Sequence, residues 1–237
     1  YEMLRSLVGS EMCIRDRLGK DFQWQKIGVL DIRAYLALLN KEKYARTTIA
    51  RRISSLRSFY KFLMRENYVE QNPFIKVRTP KLEKRLPVFL EELEINEILT
   101  LPDKDTLGLR DQAILELLYA TGCRVSELVG LMVTNIDLGS QYVLLLGKGN
   151  KERIVPIGHT CCQAVRQYLQ VTRGALMEKN KTEAHDKVFV NSRGGPLTDR
   201  SVRRILDKYI TQLAMQKKVS PHTIRHTFAT HLSLIHI

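Results

Sequence analysis

Residues 109–131, LRDQAILELLYATGCRVSELVGL, decide the architecture. The first fourteen read as a buried helix closed by Gly122, since glycine is the residue that most readily ends a helix in a left-handed turn. The remainder, from Cys123 to Leu131, starts a further helix. Arg124 and Glu127 stand three residues apart on it and share a face, so the carboxylate can orient a guanidinium there or nearby.

Upstream, FLEELEINEILTL (89–101) predicts a helix with acidic residues in its first turns. Downstream, QYVLLLGKGNKERIVPI (141–157) predicts two β-strands around a Gly-Lys-Gly-Asn turn, with Lys148 at the tip. A phosphate-binding loop would need a longer glycine frame ending in Gly-Lys-Ser/Thr and followed by a helix, so no nucleotide site is read here. TCCQAVRQYLQVTRGAL (160–176) reads as helical, VFVN (188–191) as a short strand or extended segment, and SVRRILDKYITQLA (201–214) as an amphipathic helix.

SPHTIRHTFATHL (220–232) carries the most chemistry. Ser220 can cap a helix whose first turn holds Pro221, which places His222 and Arg225 three apart on one face. His222 and His226 have the i, i+4 spacing of a zinc site. A zinc hydrolase of that spacing has Glu directly after the first histidine, whereas Thr223 stands here and no acidic ligand follows, so metal is not expected.

The 237 residues carry 38 Lys and Arg against 25 Asp and Glu, a formal net charge of +13, which speaks to anionic partners and first of all to nucleic acid. The excess is uneven: residues 20–85 have net +10 and residues 86–237 net +3. VRTPKLEKRLPVF (77–89), with two prolines and four basic residues, reads as a linker. Within the basic module, TIARRISSLRSFYKFLM (48–64) places Ile49, Ile53, Leu56, Tyr60 and Leu63 on one helical face and Arg51, Ser54, Ser58 and Lys61 on the other. Short hydroxyls between cations let a helix approach a duplex and donate to phosphate oxygens. Arg46, Arg52, Arg57 and, in the hairpin, Lys151 complete the candidate DNA-binding set.

The four cysteines, Cys13, Cys123, Cys161 and Cys162, show neither zinc-site spacing nor the density of a disulfide scaffold, and the reducing cytoplasm is the expected compartment. No apolar run approaches the ~18 residues of a membrane span, so no membrane partner is expected. Residues 1–18 and 233–237 have no clear amphipathic period and are read as a leader and a tail foreign to the fold, the natural protein being expected to continue past Leu232.

ATGCRVSEL (120–128), GKGNKER (147–153) and PHTIRHTFATHL (221–232), in that order and behind a small basic helical module, resemble the tyrosine recombinases, the phage integrase family, from about Gly19 to Leu232. The wording of RRISSLRSFYKFL and GKGNKERIVPIG is most similar to the Xer branch, which resolves chromosome dimers. The resemblance implies a mainly α fold with a small antiparallel β-sheet. It would comprise an N-terminal helical, SAM-like core-binding domain, a four-helix bundle at 19–80, a linker at 81–86, and a tyrosine-recombinase catalytic domain at 87–232.

It also implies site-specific DNA cleavage and rejoining through a 3′-phosphotyrosine. Arg124 and Arg225 would be the catalytic arginines, Lys148 the hairpin lysine, His222 the histidine of His-x-x-Arg, and Glu127 a supporting residue. Two guanidinium forks can hold the non-bridging oxygens of an attacked phosphodiester bidentately, so no metal or other cofactor is expected. Lys148 would protonate or stabilise the departing 5′ oxygen, and His222 would assist proton transfer. Tyr119, Tyr142, Tyr168 and Tyr209 all precede His-x-x-Arg and match no nucleophile position, so the nucleophile is expected beyond residue 232 and the chain as given is expected to cleave nothing. The implied partners are double-stranded DNA, a homo- or hetero-tetramer of protomers on it, a paired Xer recombinase and a DNA translocase. A mobile-element or phage integrase of the same family is the alternative. A non-catalytic DNA-binding regulator is the rival of another class, disfavoured because binding alone does not require this set.

Overall fold

The computed structural model describes residues 23–81, 89–147, 149–180, 185–213 and 219–235. The expected leader at 1–18 and most of the expected linker lie outside them. The chain divides into two compact units between Arg85 and Leu86. It is mainly α with one three-stranded antiparallel sheet, as the resemblance implies.

In the first unit a 3₁₀ turn (Trp24–Lys26) precedes α1 (Val29–Lys41) and α2 (Arg46–Arg65). The apolar stripe of α2 is the reason these pieces pack. Ile49 and Ile53 close on Leu39, while Leu56, Phe59, Tyr60 and Leu63 enclose Ile32, Val69 and Phe74. Trp24 meets Phe59 edge to face at 4.9 Å, and its carbonyl accepts from the Tyr60 hydroxyl at 3.0 Å.

Two α-helices stand among the described residues of this unit, where a four-helix bundle was expected. The difference lies in part after α2, where the chain returns in turns. Asn72 Oδ1 accepts from the Phe74 N–H at 3.0 Å, and Pro73 lacks the N–H a helix would need. The Arg57 guanidinium fastens that return, donating to the carbonyls of Phe74 and Val77 at 3.3 and 2.9 Å.

The second unit is built around α4 (Thr106–Thr121), preceded by α3 (Glu92–Thr100) and followed by α5 (Val125–Gly130). α4 is buried on nearly every side, which matches a sequence with apolar residues all round the helix, although Arg110, Asp111 and Glu116 are buried with them. Its buried Arg110–Asp111 pair is satisfied internally. Arg110 donates twice to Asp111 Oδ1 and once to the Val190 carbonyl, and the Tyr209 hydroxyl donates to Asp111 Oδ2 at 2.9 Å. Gly122 ends α4 at φ +53°, its N–H returning to the Leu118 carbonyl.

The sheet runs β1 (Ile136–Asp137), β2 (Tyr142–Leu146) and β3 (Glu152–Pro156), with Val143 opposite Val155 and Leu145 opposite Arg153. The hairpin turn is closed by the Gly147 N–H donating to the Lys151 carbonyl at 2.7 Å. Then come α6 (His159–Gln167), a π-helical turn (Tyr168–Arg173) and α7 (Gly174–Met177) in one continuous helical run. Residues 188–191, read as a short strand or extended segment, form no named strand and carry only an isolated bridge, Val190 to Pro196; Tyr168 Oη donates to the Val188 carbonyl and accepts from the Val190 N–H. α8 (Asp199–Gln212) starts at a Thr198 cap, and α9 runs from Pro221 to Ile235. No helix of the described residues is long and apolar enough to cross a membrane.

α9 closes the unit. Ser220 and Thr223 exchange side-chain-to-backbone hydrogen bonds at its start, as the Ser-Pro sequence predicts. Farther along, Thr227 accepts from the Leu90 N–H at 3.0 Å. His231 Nε2 donates to the Leu90 carbonyl and its Nδ1 accepts from the Tyr119 hydroxyl. The Phe228 ring lies against Gly122, where any Cβ would run into it. Gly122→Ala therefore combines a left-handed alanine with an overpacked ring. The expected loss is about 2–4 kcal/mol, read from the urea midpoint, and Phe228→Leu in the same chain should recover part of it.

Candidate active site

Three of the four residues expected to be catalytic meet in one place. Arg124 at the start of α5 and His222 and Arg225 on the first turns of α9 line a single open cavity of about 230 Å³, together with Arg203, Asp207 and Ser220. Lys148, the fourth, lies outside the described residues; its neighbour Gly147 is the last residue of the inner arm of the turn. His222 is exposed, Arg225 is half-buried, and the Arg124 side chain retains 52% of its exposure.

The two arginines are aimed by different devices. Arg225 donates through Nη1 to the Gly122 carbonyl at the end of α4, where the unpaired carbonyls of a helix terminus favour a cation. Arg124 is the residue before the first turn of α5. Its backbone N–H donates to Glu127 Oε2 at 2.8 Å, and its Nη1 donates to Glu127 Oε1 at 3.0 Å. Glu127 thus hydrogen-bonds the Arg124 guanidinium, as the Arg-x-x-Glu spacing allows.

Glu127 holds a second guanidinium that sequence reasoning did not single out. Arg153 on β3 forks onto it, Nη1 to Oε1 at 2.9 Å and Nη2 to Oε2 at 2.6 Å. The Glu127 side chain is 3% exposed. Burial works against its charge, but the hydrogen bonds from Arg153, then those from the Arg124 backbone and side chain, bring its carboxyl down to about 2. The missed signal was strand alternation. Arg153 shares the inner face of β3 with Val155, and a cation there calls for a buried anion. Arg203, also missed, sits one helical turn from both Asp199 and Asp207 on α8.

Elsewhere the expected residues divide. In the first unit Arg46, Arg51, Ser54, Ser58 and Lys61 are exposed, the last four along one face of α2 opposite its apolar stripe. Arg57 does not belong with them, because its guanidinium is committed to the carbonyls of Phe74 and Val77. Arg52 is half-buried with its guanidinium 4.4 Å from the Tyr44 ring centre. Lys151 is exposed in the hairpin turn. His226 is exposed, whereas His231 is held between Tyr119 and Leu90.

The phage integrase family matches residues 88–234, and the phage integrase N-terminal SAM-like domain matches residues 14–67. The two matches fall on both units, and the chain belongs to the phage integrase family, the tyrosine recombinases. Within it the similarity is to the Xer branch. The chain is 47% identical over 203 residues to tyrosine recombinase XerC of Halalkalibacterium halodurans, covering 85% of this chain and 67% of that protein. It is 47% identical over 203 residues to XerC of Bacillus subtilis, covering 85% of this chain and 66% of that protein. The chain thus spans about two thirds of the length of these relatives. The fold is shared with the Tn1549 transposon integrase, solved in complex with circular intermediate DNA, at a TM-score of 0.72 and 19% identity, covering 95% of this chain and 78% of that one.

Proposed function

We propose that this chain is the DNA-binding and phosphate-activating part of a site-specific recombinase of the Xer type, which cuts and rejoins DNA to resolve chromosome dimers. The observation that carries the reading is the convergence of Arg124, His222 and Arg225 on one cavity from two helices far apart in sequence. Two guanidiniums fixed before the substrate arrives suit the extra negative charge that in-line attack builds on a phosphodiester. A tyrosine oxygen, assigned to a segment beyond Leu232, would bond to phosphorus while the bond to the 5′ oxygen breaks. The proton lost by the tyrosine would pass toward His222, and the departing 5′ oxygen would take one from Lys148. Storing the linkage as a phosphotyrosine lets the reverse attack by a 5′ hydroxyl reseal it without a nucleotide cofactor.

On this reading residues 19–80 form a core-binding module joined through 81–86 to a catalytic domain at 87–232. The active assembly would be a tetramer of like or paired recombinases on two duplexes, served by a DNA translocase in the bacterial cytoplasm at the nucleoid. A structural relative, XerH, has been solved bound to palindromic difH substrate, which supports duplex DNA as the partner. The 47% identity to XerC proteins favours the Xer role over a mobile-element integrase, to which the likeness is one of fold.

The test is a nicked suicide duplex. A chain carrying the C-terminal continuation should form a covalent protein–DNA adduct, and the 237-residue chain should form none. Failure of the extended chain to react with any such duplex would sink the reading. DNA affinity should also fall steeply with salt. Arg51→Ala and Lys61→Ala should each reduce the slope of log K against log salt by about 0.9, as expected for one lost phosphate contact. Arg57→Ala should instead lower the thermal midpoint and leave that slope alone. Binding that ignores salt would remove the α2 face from the interface.

A further inference from the structure

We propose that Arg153 is a positioning residue, which keeps Arg124 available to the scissile phosphate by saturating the Glu127 carboxylate. This deepens the reading above and rests on Arg124 being a phosphate ligand. A carboxylate offers about four acceptor positions. At Glu127 all four are taken: Oε1 accepts from Arg124 Nη1 and Arg153 Nη1, and Oε2 accepts from the Arg124 backbone N–H and Arg153 Nη2. The two donors are unequal. Arg153 holds the bidentate face with both of its terminal nitrogens, whereas the Arg124 guanidinium touches one oxygen through one nitrogen.

That asymmetry decides which arginine can work. Parallel double hydrogen bonding is the preferred pairing of a guanidinium with a carboxylate. If Arg153 were absent, the nearest fork to the buried carboxylate would be that of Arg124, three residues away on the same helix turn. Arg124 would then turn both terminal nitrogens inward, and a phosphate would have to displace an intramolecular carboxylate to reach it. With Arg153 in place, Arg124 has only one terminal nitrogen engaged with the carboxylate, and Arg124 lines the cavity. Arg153 does not line that cavity, so it acts through its neighbour rather than on substrate.

The same contact joins two elements that the reaction needs in register. Arg153 comes from β3, and a Cβ placed on Gly147 would lie 3.5 Å from Glu127 Oε1 and 3.6 Å from Arg153 Nη1. The root of the hairpin that carries Lys148 is thus seated against the carboxylate that orients Arg124. A lysine could restore the charge at 153 but not the fork, since an ammonium cannot bridge two oxygens in plane.

The experiment measures single-turnover adduct formation at saturating nicked duplex by the chain with its C-terminal continuation. Wild type, R153A and R153K are compared on a normal scissile phosphate and on a neutral methylphosphonate, which lacks the charge that Arg124 would clamp. R153A should slow cleavage of the phosphate by about a hundredfold, the scale of a misplaced catalytic group, with DNA affinity unchanged. R153K should fail to restore the rate. On the methylphosphonate both variants should approach wild type. A purely structural defect would slow both substrates alike, and that result would overturn the proposal, as would full activity in R153A or full rescue in R153K. Should R153A not fold, R153K alone decides between the same outcomes. Absence of adduct from the wild type would remove the recombinase reading and this inference with it; adduct from the wild type with R153A undiminished would remove the inference alone.

Discussion

Arg225→Ala is expected to lower the rate of covalent adduct formation by about 10²–10³, the usual cost of deleting one fixed donor to a developing anion. Arg225 lines the cavity and is moored by Nη1 to the Gly122 carbonyl. Alanine removes both the donor and the mooring, and leaves a helix-terminal carbonyl for solvent to satisfy. Arg225→Lys should recover little, because a single ammonium cannot hold a carbonyl and two phosphate oxygens in the geometry of a planar fork. DNA binding should survive in both variants, since most of the cationic excess lies in residues 20–85. The measurement is the first-order rate at saturating nicked duplex beside a binding isotherm. Adduct formation unchanged in Arg225→Ala would take this residue out of the site.

The second large effect belongs to Glu127. Its carboxyl is brought to about 2 in the fold from an ordinary value of 4.5, so the charged form is favoured on folding. A shift of that size corresponds to about 3 kcal/mol of stability. Because the folded value is depressed, this contribution is fully present above pH 4.5 and is lost as pH falls toward 2. Glu127→Gln should therefore cost about 3 kcal/mol at neutral pH and flatten the stability profile between pH 4.5 and 2. The amide also presents an N–H₂ group to donors that need acceptors. Arg124 and Arg153, at 52% and 36% exposure, can rehydrate their guanidiniums, which keeps the loss from growing further. Chemical denaturation of both proteins across that pH range is the check. Parallel profiles would show that the carboxylate is not what the acid transition titrates.

What could be read from the sequence was mostly local. Gly122 as the end of α4, Ser220 and Pro221 at the start of α9, and the turn between β2 and β3 each depend on a few adjacent residues whose backbone preferences are strong. Glu127 was legible for the same reason, being three residues from its partner. Arg153 was not, because its partner is 26 residues away and only the folded sheet turns it inward. Arg57 shows the converse. Its charge and position on α2 suit a DNA face, but carbonyls 17 and 20 residues later claim it. The extended segment at 188–191 has the composition of a strand, yet the Tyr168 hydroxyl occupies the hydrogen-bonding groups of Val188 and Val190 that a neighbouring strand would use.

The fastening of Leu90 has a consequence for how the second unit comes apart. Both polar groups of its backbone are engaged by side chains of α9, the N–H by Thr227 and the carbonyl by His231. Fraying of α9 from its far end inward would release His231 first and Thr227 next, and with them the start of the unit that they anchor. The opening and closing stretches of the catalytic unit are in this sense a zipper's two sides, and hydrogen exchange at Leu90 should report the unravelling of a helix more than 130 residues downstream.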